Sequence, residues 1–393
     1  SEYEIHPEDF GIQMASTRAL RVETPEQSRA EAFALKSVVN GLLPKSRISK
    51  CMKWRVPDRD IELIRGRETG KAYYHGLQVC SNPWACPVCG RKIRERRKVE
   101  LQGAIAAAKA MGWEVYLVTL TAPHRLGDDL KLKIDLMEKA ARKLSSDRAG
   151  VAFRKLIGLE GTVRAWENTH GENGHHPHFH FLYFINPKGY HVGPKEVEFG
   201  LCRLWQNACV KVGLPCPSDA HGCRVDGGER AANYVSKGNW GLESEMTKGF
   251  IKSSKTKEGR SMSDLLRAVL ADKSDKQSAA IFVEYVEAFT GKKQLSWSVG
   301  LKKRLAVVDL TDEEINQVEA DDTPQCLARF TDDEWRAIYR TRSESALLDL
   351  AEKAPHVVPE FVRDLVERWG RDGGDTRQAP LTRSPDGTTP PKP

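Results

Sequence analysis

No stretch of this chain approaches the roughly 18 consecutive apolar residues that a membrane-spanning helix needs, so a membrane partner is not expected. The opening Ser1-Glu2-Tyr3-Glu4-Ile5-His6 lacks a basic segment leading into an apolar one. Nothing there reads as an export signal, and the expected location is the cytoplasm. Cysteine is sparse and odd in number, nine in 393 residues, which argues against a disulfide framework and for reduced thiols and metal ligands. No internal repeat is visible. What is present is a hydrophobic fraction of 40%, ample for globular folding, in a chain long enough for two or three domains.

The net charge of +7 is modest but unevenly placed. Arg91, Lys92, Arg94, Arg96, Arg97 and Lys98 crowd together, their charge offset only by Glu95, and Lys248, Lys252, Lys255, Lys257 and Arg260 form a second basic stretch. Asp309, Asp312, Glu313, Glu314, Glu319, Asp321 and Asp322 make a late segment acidic. Local basic patches of this kind are the electrostatic footprint of nucleic-acid binding, although a solvated helix face gives the same pattern.

Residues 1–45 read as a partly disordered lead-in with helix around Ala30–Leu35, and a cysteine-bearing region with a basic helix follows over 46–110. Residues 111–305 carry the strand and helix patterns of one α+β domain. Its strands fall at Val115–Thr121, Gly161–Asn168 and His176–Phe184, its helices over 128–144, 195–212, 230–237 and 276–290. A helical C-terminal region over 306–370 includes a helix expected at 333–352, and the Pro- and Gly-rich tail 371–393 is expected to be disordered. The expected fold is a central antiparallel sheet with helices packed on it.

The run His176-Pro177-His178-Phe179-His180-Phe181 sets two histidines one residue apart in an apolar strand. Side chains at i and i+2 share a face, so His178 and His180 project together and Phe179 and Phe181 the other way. If Gly171-Glu172-Asn173-Gly174 closes a hairpin, Glu167 falls opposite His178, since directly opposed residues share a face of the sheet. The resulting N/N/O set, with Glu160, His124 and His170 as rival ligands, suits Mg²⁺, Mn²⁺ or another first-row cation.

Cys86 and Cys89 make a C-x-x-C followed by Gly90, a zinc-knuckle pattern, with Cys80 a natural third ligand and Cys51 or His75 the fourth. A redox C-x-x-C is the alternative, but no strand leads into it. Cys202, Cys209, Cys216 and Cys223 recur every seven residues and read first as packing. On a helix, Tyr234 and Lys237 share a face, so the lysine can favour the phenolate or steady a phosphate.

Taken in order, the C-P-V-C knuckle with its basic run, the strand Leu117–Thr121, His178-Phe179-His180 and Tyr234-Val235-Ser236-Lys237 resemble the HUH-endonuclease superfamily, in particular its rolling-circle replication initiators from plasmids and phages. Gly161–Glu167, Glu245–Gly249 and Gln294–Ser298 add to a resemblance covering about residues 46–305. It implies a bacterial, metal-dependent nickase of single-stranded origin DNA. His178 and His180 match the metal pair and Tyr234 the nucleophile that takes the 5′ phosphate, while the freed 3′ hydroxyl primes synthesis by host polymerase and helicase. Some of these initiators activate water with a glutamate four residues before the tyrosine; here that position is Arg230, and Glu229 stands one residue earlier. A single-strand transposase of the same chemistry and a non-catalytic zinc-dependent DNA-binding regulator remain the competing readings.

Overall fold

A computed structural model describes residues 25–187, 192–227, 259–317 and 322–371. The fold is α+β. Its described strands are β1 (Ile61–Gly66), β2 (Ala72–His75), β3 (Glu114–Thr121), β4 (Leu159–Gly171), β5 (Gly174–Ile185), β6 (Cys223–Asp226), β7 (Leu295–Trp297) and β8 (Pro324–Phe330). They form two antiparallel sheets, in the orders β2-β1-β8 and β6-β3-β5-β4-β7. The chain divides into two compact units. The first is Ser1–Asn82 with Cys86–Cys89 and Asn316–Pro393, the second Pro83–Ala85 with Gly90–Ile315.

In the first unit β1 is the central strand, and its period-2 burial puts Ile61 and Leu63 fully inside. They pack with Phe330, Trp335, Ile338, Leu347 and Val358. β8 comes from the far end of the chain yet pairs along the whole of β1, from Ile61↔Phe330 to Gly66↔Pro324. The stretch after residue 316 therefore builds this unit together with residues 25–82, a closure that the helical pattern of the 306–370 segment does not foretell. The helix expected over 333–352 is two helices, Asp332–Arg340 and Glu344–Lys353. Arg342 sits in the left-handed region at φ 58°, and the Ser343 N–H reaches back to the Ile338 carbonyl at 3.0 Å, which closes the first helix.

The second unit is organised around β5, the middle strand of five. Glu172 and Asn173 link the paired Gly171 and Gly174, and the left-handed φ that returns the chain to the strand falls on Gly174 (82°), where glycine takes it without strain. The β4–β5 register follows from it. One face of the sheet carries Val115, Leu117, Val163, Leu182 and Phe184, covered by Leu101, Ala104, Ile105 and Ala108 of the helix Pro87–Ala110. On the other, Phe179 meets Trp166 at a 3.8 Å centroid distance, and Trp205 and Phe289 complete the packing. Cys202 and Cys209 are buried on the helix Pro194–Val212, as the packing reading expected, while Cys216 is exposed. Both faces of β5 are thus buried, which is why it reads as an almost unbroken apolar strand apart from its histidines.

Candidate metal centres

His178 and His180 project from one face of β5, the face that continues into Leu182 and Phe184. Glu167 is the direct partner of His178 in the hairpin register, and Ala165 that of His180. The Glu167 Oε2 atom lies 2.9 Å from His180 Nε2 and 3.5 Å from His178 Nε2. All three side chains are buried, and their candidate ligand atoms fall within 4.8 Å of one another. Burial by itself would raise the Glu167 carboxyl, but His178 and His180 beside it hold it well below the usual carboxylate range.

The remaining ring nitrogens are committed elsewhere. His178 Nδ1 lies 3.1 Å from the His176 carbonyl, which can only accept, so Nδ1 carries the proton. His180 Nδ1 lies 3.0 Å from Thr119 Oγ1, on the strand paired at Thr119↔His180. Both Nε2 atoms are thereby turned toward the carboxylate, the arrangement that fixes tautomer and ring orientation in metal-ligating histidines. The donor set is two imidazoles and one carboxylate. It fits Mg²⁺ or Mn²⁺, or another first-row ion, with open coordination positions.

The rival ligands lie apart from this group. Glu160 pairs with Arg304 at 2.6 Å. His124 stacks on His176 with centroids 4.4 Å apart, and His170 bonds through its backbone to Arg260. His176 is on the same face as His178, and burial with the neighbouring His178 and His124 lowers it to about 3. Reading the residues one by one missed Thr119. Its signal was a hydroxyl set in an apolar strand, legible only once the strand pairing is known.

In the first unit Cys51, Cys80, Cys86 and Cys89 are buried together within 4.8 Å. The Sγ separations are 3.9 Å for Cys51–Cys86, 3.4 Å for Cys51–Cys89 and 3.8 Å for Cys80–Cys89. A tetrahedral ion with Zn–S near 2.3 Å places its sulfurs about 3.8 Å apart, so the four thiols fit zinc. The Cys89 N–H points to Cys86 Sγ at 3.5 Å. Hydrogen bonds from Cys51, Cys80 and Cys89 hold the Cys86 thiol well below its ordinary value. Cys51 is the fourth member of the set; His75 faces Glu62 at 3.3 Å instead.

Residues 71–346 match the family described as Replication protein. The chain belongs to this family. A protein named Protein rep from Streptomyces lividans is 29% identical over 150 residues, covering 31% of this chain and 33% of that protein. Anthranilate phosphoribosyltransferases from Paracidovorax citrulli and a Polaromonas species are 56% and 80% identical, over 52 and 30 residues only, covering 13% and 8% of this chain. The chain spans a third or less of the length of each of these relatives. No solved structure matches. The ordered motifs that resemble rolling-circle initiators thus occur in a replication protein.

The basic residues of the helix Pro87–Ala110 divide into inward-facing and exposed ones. Arg94 is buried, and Arg97 lies 2.8 Å from both Glu100 and Asp312 while donating to the Leu310 carbonyl. Both side chains are thus engaged within the fold. Arg91, 3.2 Å from Glu95, together with Lys92, Arg96 and Lys98, keeps some exposure. Glu229, Tyr234 and Lys237 lie outside the described residues. Among the described residues no helix is long and apolar enough to cross a membrane.

Proposed function

We propose that this replication protein initiates rolling-circle replication by nicking one strand of its origin, with Tyr234 as nucleophile. The observation that carries the reading is the buried Glu167/His178/His180 cluster on the central hairpin, its two Nε2 atoms turned inward by His176 and Thr119. A divalent cation held by these three residues would serve as a Lewis acid toward a phosphoryl oxygen and orient the scissile group. The His176 carbonyl keeps His178 in the tautomer that presents Nε2, and Thr119 holds the orientation of the His180 ring. Glu167 offsets the charge, and its depressed pKa keeps it anionic throughout the working range.

In the proposed step the Tyr234 oxygen forms a bond to phosphorus and the P–O3′ bond breaks. The proton lost by the phenol is balanced by the one gained at the departing 3′ oxygen. Lys237 assists by favouring the phenolate or steadying the phosphate. The products are a 5′-phosphotyrosine and a free 3′ hydroxyl that a host polymerase extends while a host helicase opens the duplex. Glu229 is the candidate for activating water in termination. The Cys51/Cys80/Cys86/Cys89 site holds structural Zn²⁺, and Arg91, Lys92, Arg96 and Lys98 contact origin DNA.

The test is a labelled single-stranded oligonucleotide carrying the cognate origin. Mn²⁺ or Mg²⁺ should yield a covalent adduct on a denaturing gel, and Tyr234→Phe should yield none. Adduct that persists in Tyr234→Phe removes the nucleophile assignment. Origin binding without adduct in the wild type favours a zinc-dependent regulator instead.

A further inference from the structure

Beside the metal cluster lies a pair of imidazoles that the chemistry proposed above leaves without a task. His176, His178 and His180 share one face of β5. His178 and His180 have partners on β3, at Thr121 and Thr119. Continuing that register would set Pro123 opposite His176, but proline has no N–H to give the ladder, and β3 ends at Thr121. The chain turns away there, and the ring of His176 meets the His124 side chain instead. The two rings stack with centroids 4.4 Å apart and planes 15° from parallel. The His176 ring in turn lies 5.0 Å from that of His178. Three imidazoles thus step outward from the metal centre, from the buried His178 through the half-buried His176 and His124.

The loop that carries His124 is held in place. The Arg125 N–H donates to Asp128 at 2.9 Å, the Asp128 N–H donates to the Arg125 carbonyl at 3.1 Å, and Asp128 is also bonded to Lys133. The loop backbone passes close over the hairpin end: a Cβ at position 174 would lie 3.2 Å from the Leu126 Cα and 3.3 Å from the Arg125 carbonyl oxygen. Gly174 therefore serves the seat of this loop as well as the reversal of the chain. Arg125 and Leu126 are exposed, Leu126 by 73% although it is apolar. Neither His124 nor His176 joins the ligand group of Glu167, His178 and His180. A firmly seated loop thus presents an imidazole, a guanidinium and an apolar side chain in three successive residues beside that group. Single-stranded nucleic acid is held by such surfaces, its bases stacking on aromatic rings, histidine included, whatever their sequence.

We propose that the His124 ring, backed by His176, is a stacking platform for a nucleobase flanking the scissile phosphate, and so sets where the strand lies relative to the Glu167/His178/His180 centre. The stack begins at the ligand His178 itself, so a base that extends it belongs to the nucleotides nearest the cut. The inference rests on single-stranded origin DNA being the substrate of that centre. It concerns what the strand touches and is independent of how the bond is broken.

The experiment titrates the full-length, zinc-loaded chain with labelled single-stranded origin oligonucleotides in Mn²⁺, in a Tyr234→Phe background so that the strand stays whole. Each oligonucleotide carries one abasic residue, placed in turn at the positions flanking the nick. With His124 present, one abasic position should weaken binding roughly tenfold, the effect of one stacked base. His124→Ala should bind the intact oligonucleotide roughly tenfold more weakly and lose nothing further at that abasic position, because the partner is already gone. His124→Phe keeps a ring without nitrogens and should bind as His124 does. Mn²⁺ affinity should be the same in all three. An abasic loss of the same size with and without the His124 ring overturns the proposal. So does a His124→Phe variant as weak as His124→Ala, which assigns the effect to the ring nitrogens, or a His124→Ala variant that loses Mn²⁺. A denaturing gel of the same samples shows whether any strand was cut, so failure of the nucleophile assignment is told apart from failure of this one. Should His124→Ala fail to fold, His124→Gln, polar but without a ring, is read by the same criteria.

Discussion

The four-thiol cluster of the first unit and the Glu167/His178/His180 cluster of the second are both buried, and both gather candidate ligand atoms within 4.8 Å, yet they are built for different work. Four soft thiol donors fill a tetrahedron and leave no position for a substrate. Two imidazoles and one carboxylate leave positions open and suit a first-row divalent ion that also takes oxygen ligands. The thiol cluster ties Cys51 to a knuckle that begins 35 residues later. The histidine cluster ties together two strands already held by a continuous hydrogen-bonded register from Gly161↔Phe184 to Gly171↔Gly174. A metal in the first cluster would add a long-range link to the fold, whereas one in the second would join strands that already pair.

That contrast breaks most visibly at the thiols. Cys86→Ser, or removal of zinc by a chelator, should abolish cooperative melting of the first unit, because structural zinc contributes about 10–16 kcal/mol, comparable with the whole stability of a domain. Metal analysis should show one zinc fewer per chain. His180→Ala should act the other way round. It should lose Mn²⁺ binding and at least about 100-fold of the adduct-forming rate, with a melting temperature shifted far less than by Cys86→Ser. A His180→Ala variant that unfolds, or a Cys86→Ser variant that melts like the wild type, would erase the distinction.

Thr119→Val sharpens it further. The variant keeps all three ligands and removes only the group against His180 Nδ1, so Mn²⁺ affinity measured by calorimetry should fall roughly tenfold. Equal affinity in the variant would mean that the strand alone orients the ring.

The smallest expected effect concerns the first unit's stability apart from its thiols. Glu344 titrates near 7 in the fold against an ordinary value of 4.5, so the stability tied to its protonated form is full below pH 4.5 and lost as pH rises through 7. Denaturant titrations should show the wild type losing on the order of 2–3 kcal/mol across that window relative to Glu344→Gln. Parallel pH profiles for the two proteins would place the Glu344 carboxyl at an ordinary value.

Much of the histidine site is legible in the chain itself. The i, i+2 spacing of His178 and His180 decides their shared face, and a two-residue turn at Glu172–Asn173 decides that Glu167 stands opposite His178. Both are short-range rules, enforced by the pleat and by the few conformations a tight turn allows. The C-x-x-C pair is legible for the same reason. Choosing Cys51 over His75 was not, because both lie far from the knuckle in sequence and only the packed fold shows which one arrives. The basic run misled in part: a list of charges does not say that Arg94 turns inward or that Arg97 meets Asp312.

The sequence by itself determined the local geometry of this protein: which residues alternate on β5, where the hairpin turns and which thiols sit one helical turn apart. Only the tertiary structure decided the pairing of β8 with β1, the arrival of Thr119 behind His180 and the meeting of Lys36 and Lys53 over Tyr339. Those contacts join residues far apart in the chain, and closing such loops depends on the burial energy of the whole core and not on any local preference.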